Sequence, residues 1–138
     1  MNEIERIQAV ADVVESWGFP VLERDERSVL FRYQLNYVEV VASQGDDNFL
    51  SVNLNNFYEI ESPAEKAVVD TVCNDLNYKL MQIKAYRNDK YEPTLSFEFF
   101  FDSPASIDYL LRKGLEGVVQ AKRDFSRGMS VAVAEYGN

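Results

Sequence analysis

Carboxylates are the side chains through which this sequence could do chemistry, because it contains no histidine and a single cysteine, Cys73. Without histidine there is no usual general base near neutral pH and no imidazole ligand for zinc. Asp46 and Asp47 lie side by side in Q-G-D-D-N, where their oxygens could contact a divalent cation. The alternating ligands and the closing glutamate of an EF-hand loop are missing, so we interpret the pair as a solvated hairpin tip.

The sequence also lacks the common nucleotide-binding motifs. Neither the phosphate-binding pattern G-x-x-x-x-G-K-[ST] nor the dinucleotide pattern G-x-G-x-x-G occurs. The stretch N-D-K-Y-E at 88–92 is interpreted, like Q-G-D-D-N, as a turn between strands. Cys73 lies on a predicted helix face that meets the sheet, which indicates a buried structural thiol. We therefore predict a protein that is not an enzyme and has no catalytic residues, no metal and no cofactor.

The composition predicts one acidic domain that covers residues 1–138. Hydrophobic residues make up 46% of the chain and the net charge is −9, so a sizeable core is possible and a nucleic-acid partner is not expected. The N-terminus has acids where a secretory signal needs bases. No apolar run approaches the roughly 20 residues that span a bilayer. With one cysteine and no intrachain disulfide, we expect a cytoplasmic protein that contacts no membrane.

Three amphipathic segments predict helices. Residues 2–17 form the first, which starts with a capping-box pattern. S-P-A-E at 62–65 starts the second with a serine N-cap, a proline and a glutamate in their preferred positions. The third starts at Ser103 and runs to about Met129. The last residues, 130–138, could form a short strand or a loose tail.

Period-2 alternation predicts six strands, and the order of all elements predicts the fold class. The strands are expected at 21–23, 29–33, 37–43, 49–55, 80–87 and 94–101. The order is α-β-β-β-β-α-β-β-α, in which strands and helices do not alternate one to one. We therefore predict an α+β fold, an antiparallel sheet with helices packed mainly on one face.

The other face of the sheet is predicted to carry apolar side chains that contact a partner. The alternation assigns to it Tyr37, Val41, Phe49, Tyr86 and Phe100. A contiguous exposed aromatic patch implies a binding partner, whereas scattered aromatics, or cover by a terminal segment, would need none. We interpret the five residues as a partner-binding patch.

Two glycines inside the third helix need a reason, because each costs about 1 kcal/mol relative to alanine there. Gly114 and Gly117 lie three residues apart. Either the helix backbone packs closely against a neighbouring element of the same chain, or the glycines form a helix–helix contact in a dimer. The sequence leaves both alternatives open, and we assign the pair as a candidate dimer contact.

Two asparagines bracket the predicted end of the second helix. Asn77 suits the left-handed position that follows a helix, and Asn74 could hydrogen-bond carbonyl groups or a neighbouring strand. We interpret both as residues that shape the fold.

The same segment carries a family resemblance. The helix that ends in N-D-L-N at 74–77 is followed by L-M-Q-I-K-A-Y, the hairpin N-D-K-Y, T-L-S-F-E-F-F-F and the helix from Pro104. From Glu65 to about Met129 this pattern resembles the YbjN-like domain, a bacterial family regarded as regulators of sensory transduction. Residues 1–60 match it in element order only. The resemblance implies the fold of type III secretion chaperones, which are small, acidic, dimeric proteins that hold secreted effectors.

These observations lead to two functional hypotheses. The first is a non-enzymatic, homodimeric protein-binding module, a regulator or chaperone-like protein that holds an extended segment of a partner. That segment would lie across the aromatic face or add to a sheet edge. The alternative is a small-molecule-sensing regulatory domain with a pocket between sheet and helices.

Overall fold

A computed structural model describes residues 1–45 and 47–136 as one antiparallel sheet and three α-helices. The elements are α1 (Glu3–Ser16), β1 (Val21–Arg24), β2 (Ser28–Tyr33), β3 (Asn36–Ala42), β4 (Phe49–Asn55), α2 (Pro63–Lys79), β5 (Ile83–Arg87), β6 (Pro93–Phe100), a 3-10 turn (Pro104–Ser106) and α3 (Ile107–Tyr136). This order confirms the predicted α+β fold. Asp46, one half of the predicted hairpin tip, lies outside the described residues.

The sheet has six strands in the order β1-β2-β3-β4-β6-β5, and each neighbouring pair is antiparallel. Alternate residues of the central strands form the core beneath the helices. They are Val38, Val40, Ala42, Leu50, Val52, Leu54, Leu95, Phe97 and Phe99. The intervening residues therefore point to the opposite face, which we call the open face.

The predicted starts of the first two helices are confirmed, whereas α3 begins at Ile107, after the 3-10 turn that follows the predicted start at Ser103. The Asn2 side chain accepts from the Glu5 N–H, and the Glu5 carboxylate accepts from the Asn2 N–H. Ser62 and Glu65 form the same reciprocal pair at the start of α2. Gly18, which follows the cap residue Trp17 at the end of α1, has a φ of +90°, which a residue with a side chain rarely adopts. Local chemistry therefore fixes where these helices begin and where α1 ends.

An arginine inside the protein holds α1 against the loop between β3 and β4. The Arg6 side chain is fully buried. Its guanidinium donates to the carbonyl oxygens of Phe49 at 2.7 Å, Ser43 at 2.8 Å and Gly45 at 2.6 Å. Because carbonyl groups supply the acceptors, this buried cation is hydrogen-bonded without a carboxylate.

The end of α2 differs from the prediction. The helix continues to Lys79, so Asn77 lies within it and not in the left-handed position after it. The Asn77 side chain instead contacts β5, an edge strand of the sheet. Its Oδ1 accepts from the Ala85 N–H at 2.6 Å, and its Nδ2 donates to the Ala85 carbonyl at 2.9 Å. One amide group thus occupies both outward-facing backbone groups at the centre of this edge.

We expect Asn77→Ala to lower the free energy of unfolding by about 1 kcal/mol, because two hydrogen bonds are lost while alanine favours the helix. The amide proton of Ala85 should exchange faster with solvent than in the wild type. Asn74→Ala, at an exposed position of the same helix, is the matched control. Unchanged exchange at Ala85 in the Asn77 variant would contradict the edge contact.

α3 is longer than predicted and packs on the sheet of its own chain. It continues to Tyr136, so residues 130–136 are neither strand nor tail. A Cβ added at Gly114 would lie 2.9 Å from Phe97 Cδ1 and 3.2 Å from Val52 Cγ2, and one at Gly117 would lie 3.4 Å from an Ile83 methyl. Close packing on the sheet thus accounts for Gly114, and the dimer contact at the two glycines stays a prediction.

Candidate partner-binding face of the sheet

All five residues predicted to bind a partner lie on the open face. The exposed fraction is 61% for Tyr37, 71% for Phe100 and 45% for Tyr86, while Val41 and Phe49 are half-buried. Each occupies a strand position that alternates with the core residues of its strand. The period-2 pattern therefore assigned them to the correct side of the sheet.

The five residues form two groups at opposite ends of the strands and not one contiguous patch. Phe49 and Phe100 lie directly opposite each other, and their ring centroids are 5.1 Å apart. Val41 lies diagonally beside Phe49, because its direct partner on β4 is Ser51. We call this group the phenylalanine end of the open face.

The second group, the tyrosine end, lies at the other end of the strands. Tyr86 pairs with Thr94, which precedes Phe100 by six residues on β6. Six extended residues span about 20 Å, so this distance separates the two groups. Tyr37 lies at the same end, beside Arg32, whose guanidinium carbon is 5.4 Å from the ring centroid.

A strained turn adds an apolar side chain to the tyrosine end. Gln34 and Leu35 connect β2 and β3 with φ values of 48° and 67°, a region that glycine or asparagine usually occupies in such turns. Leu35 is 84% exposed. Glutamine and leucine both adopt this conformation rarely. Leu35 is therefore unfavourable for the isolated chain in its backbone conformation and in the exposure of its apolar side chain to water.

Short polar side chains occupy the middle of the open face, between the two groups. They are Ser51 and Asn53 of β4 and Ser96 of β6, and the row continues into the tyrosine end with Asn55 and Thr94, because Thr94 pairs with both Asn55 and Tyr86. Longer side chains stand beside them, including Lys84 and Glu98, whose charged groups are 2.7 Å apart. The hydrogen bond to Glu98 raises the pKa of Lys84. The result is a shallow polar trough that runs along β4 and β6.

Asn53, Thr94 and Ser96 are buried, with exposed fractions of 8%, 9% and 3%, while Ser51 and Asn55 of the same row are more accessible. Asn53 Nδ2 donates to the Glu39 carbonyl at 3.2 Å and to Ser51 Oγ at 3.0 Å, which fixes its orientation. The accessible hydroxyl of Ser51 and amide of Asn55 can exchange hydrogen bonds with the backbone of an extended peptide whatever its side chains are. Because side chains six residues apart on a strand point the same way, one peptide could contact both aromatic ends.

The described part of the chain shows no arrangement typical of metal or thiol chemistry. Among residues 1–45 and 47–136 no three Cys, Asp or Glu side chains gather into a cluster that could hold a metal ion. Cys73 is buried, and desolvation raises the pKa of its thiol to about 11. The thiol is therefore protonated and inert near neutral pH, as predicted for a structural cysteine. No helix in these residues is long and apolar enough to cross a membrane.

Two of the cavities in the described part of the chain lie on the helix side of the sheet. One, of about 500 Å³, lies between α2 and the last turns of α3. The other, of about 380 Å³, lies where the end of α1, the end of β2 and α3 meet, and Trp17, Phe19 and Tyr33 line it. These three aromatics were not predicted as site residues, because only the packing of α1, β2 and α3 brings them together.

Comparisons with known proteins find a structural likeness but no family. The chain matches no family model and no curated protein. Its structure is similar to the crystal structure of an uncharacterized protein from Methanothermobacter thermautotrophicus, with 16% sequence identity and a TM-score of 0.46. The alignment covers 87% of this chain and 99% of that protein. The resemblance to the YbjN-like domain and to type III secretion chaperones therefore stays a prediction.

Proposed function

We propose that this protein is a non-enzymatic binding module that holds an extended segment of a partner protein along the open face of its sheet. The observation that carries the proposal is the exposure of Tyr37 and Phe100 at opposite ends of a polar trough. A regulatory or chaperone-like role belongs to the same proposal. A homodimer, which the resemblance implies, stays a prediction that light scattering can test.

The energetics favour anchoring at the two ends of the trough. Fully burying one large apolar side chain contributes about 1.5–3 kcal/mol, and interface energy usually concentrates in a few aromatic anchors. The trough between the anchors would supply hydrogen bonds that balance the desolvation of the partner's backbone. We therefore expect a partner segment with two apolar residues about six positions apart.

The sheet edges are less suited to such a segment. The edge of β5 is closed at Ala85 by the Asn77 side chain. The edge strand β1 has four residues, and its register with β2 shifts between Val21 and Glu23. Short, irregular edges pair poorly with an added strand. Of the two docking modes predicted from the sequence, binding across the open face is therefore the better supported.

Tyr37→Ser combined with Phe100→Ser should abolish partner binding and leave the fold intact, because both side chains are mostly exposed. A pull-down from the host lysate, followed by overlapping peptides from the captured protein, measures this. Binding should map to one segment and weaken about a hundredfold or more in the variant.

The matched control replaces two exposed aromatics that lie on helices, Tyr78 at 90% exposure and Tyr109 at 63%. Tyr78→Ser combined with Tyr109→Ser should bind as the wild type does. If the control loses the partner and the open-face variant keeps it, the binding surface is on the helices and the proposal is wrong.

A further inference from the structure

The cavity of about 380 Å³ beside Trp17 has an aromatic wall. The Trp17 and Phe19 ring centroids are 6.5 Å apart with planes at 80°, and those of Phe19 and Tyr33 are 6.0 Å apart with planes at 74°. All three side chains are half-buried, so part of each ring remains accessible. Edge-to-face contacts fix the rings relative to one another. The three rings are therefore held in a preformed arrangement beside the polar groups of the cavity.

A guanidinium group is held at the same cavity. Arg112 of α3 places its Cζ 4.7 Å from the centre of the Trp17 ring. Its Nε donates to Asp108 Oδ1 at 2.6 Å, while Asp108 Oδ2 accepts from Trp17 Nε1 at 3.1 Å. These contacts orient the guanidinium and use only one of its nitrogens. In the described part of the chain, the two Nη groups donate to no other residue, so they can receive a carboxylate.

A carboxylate stands one helical turn further along α3. Glu116 lines the same cavity as Arg112, four residues later. Side chains at this spacing have Cβ atoms about 6 Å apart on one face of a helix. Lys113 Nζ lies 3.7 Å from Glu116, a loose contact between two exposed side chains. The cavity is therefore lined by a guanidinium that lies over the Trp17 ring, by a carboxylate one helical turn away, and by the rings of Phe19 and Tyr33.

We propose that this cavity binds a small zwitterion of the amino-acid type. The ligand carboxylate would pair with Arg112, its ammonium group with Glu116, and its apolar side chain would contact the three rings. The volume lies within the range of ligand pockets and equals about a dozen water molecules. Tyr33 alternates with open-face residues, so this site and the partner-binding face lie on opposite sides of the sheet.

The paired charges give the site a defined selectivity. A ligand with a carboxylate alone would pair with Arg112 but face the like charge of Glu116. A ligand with an amine alone would pair with Glu116 but face Arg112. Like charges at short range disfavour both. The site would therefore select a ligand that carries both groups over either singly charged analogue of the same size.

Trp17 is the only tryptophan of the chain, so its fluorescence reports directly on the cavity. The probes are L-phenylalanine, 3-phenylpropionate and 2-phenylethylamine, which share one ring and differ in charge. L-Phenylalanine should cause a saturable change, with binding at least about tenfold tighter than that of either analogue. No saturable change up to about 20 mM, or equal binding of one analogue, would overturn the proposal.

Variants test whether Arg112 binds the ligand carboxylate and Glu116 its ammonium group. Glu116→Gln should relieve the discrimination against 3-phenylpropionate, and Arg112→Gln should weaken binding of L-phenylalanine about tenfold. Arg123→Gln, at an exposed position of the same helix, should change nothing. The melting temperature of each free variant shows whether its fold is intact. Since Glu116 is exposed, its variant tests the proposal even if Arg112→Gln unfolds; unchanged discrimination in Glu116→Gln would overturn it.

Discussion

Arg6→Met should lower the free energy of unfolding by about 3 kcal/mol or more, because it leaves three carbonyl groups without their donor. Those carbonyls belong to Ser43, Gly45 and Phe49, which lie around the start of β4. Methionine fills a similar volume, so the loss reports on hydrogen bonding more than on packing. Urea unfolding with an unchanged m-value measures the difference.

Two further variants test whether the loss of stability is specific to the buried guanidinium of Arg6. Arg6→Lys keeps the charge, but a compact ammonium group cannot reach three divergent carbonyls as the guanidinium does, so an intermediate loss is expected. Arg123→Met replaces an exposed arginine and should change stability by no more than about 0.5 kcal/mol. A loss below about 1 kcal/mol in Arg6→Met would show that water replaces the guanidinium without cost.

Gly114→Leu should be about as damaging, with an expected loss of more than 3 kcal/mol or failure to fold. Even a bare Cβ at this position would lie 2.9 Å from the ring of Phe97, and both Phe97 and Val52 are buried in the core. A leucine would force the helix away from the sheet or push core side chains out of their rotamers. Gly114→Ala, offset by better helix propensity, should cost about 1 kcal/mol.

Gly117→Ala is the matched control for Gly114. Its added methyl would make an ordinary contact with an Ile83 methyl at 3.4 Å. The gain in helix propensity should therefore stabilise the protein by roughly 0.5–1 kcal/mol. Light scattering on the same samples tests the predicted dimer contact, because a contact through these glycines would weaken in both alanine variants. Equal stability changes at the two positions would contradict the packing described for Gly114.

Most of the fold could be predicted from local sequence signals. The S-P-A-E start of α2 and the alternation in F-E-F-F-F depend on residues within one or two turns or along one strand, and both were predicted. The end of α2 was predicted wrongly. Asn77 was interpreted as the residue that ends the helix, but its side chain hydrogen-bonds to Ala85 of the next strand and the helix continues past it. At the C-terminus, V-A-V-A is compatible with a strand, but Ala132 and Val133 pack against the core as part of α3.

Contacts between residues that are far apart along the chain could not be predicted from the sequence. An arginine four residues into a helix is typically exposed, and nothing near Arg6 shows that carbonyls from 43–49 surround it. The five open-face residues were placed correctly because side-chain direction follows strand parity alone. Their division into two groups at opposite ends of the strands was not predicted. It depends on β6 lying next to β4, a pairing that is set by the topology of the sheet. The cavity beside Trp17 likewise joins three elements that are distant along the chain.

The amide contact between Asn77 and Ala85 also limits how copies of this protein could polymerise. A sheet with two free edges is a bifunctional monomer, and strand addition at both edges can continue without end into a fibre. Here the edge of β5 is occupied at its centre, so the short, irregular edge of β1 is the one left to add a strand, and it does so poorly. A monofunctional monomer that pairs through one edge stops at a closed, two-fold pair. One asparagine side chain thus acts as a chain terminator for edge-to-edge growth.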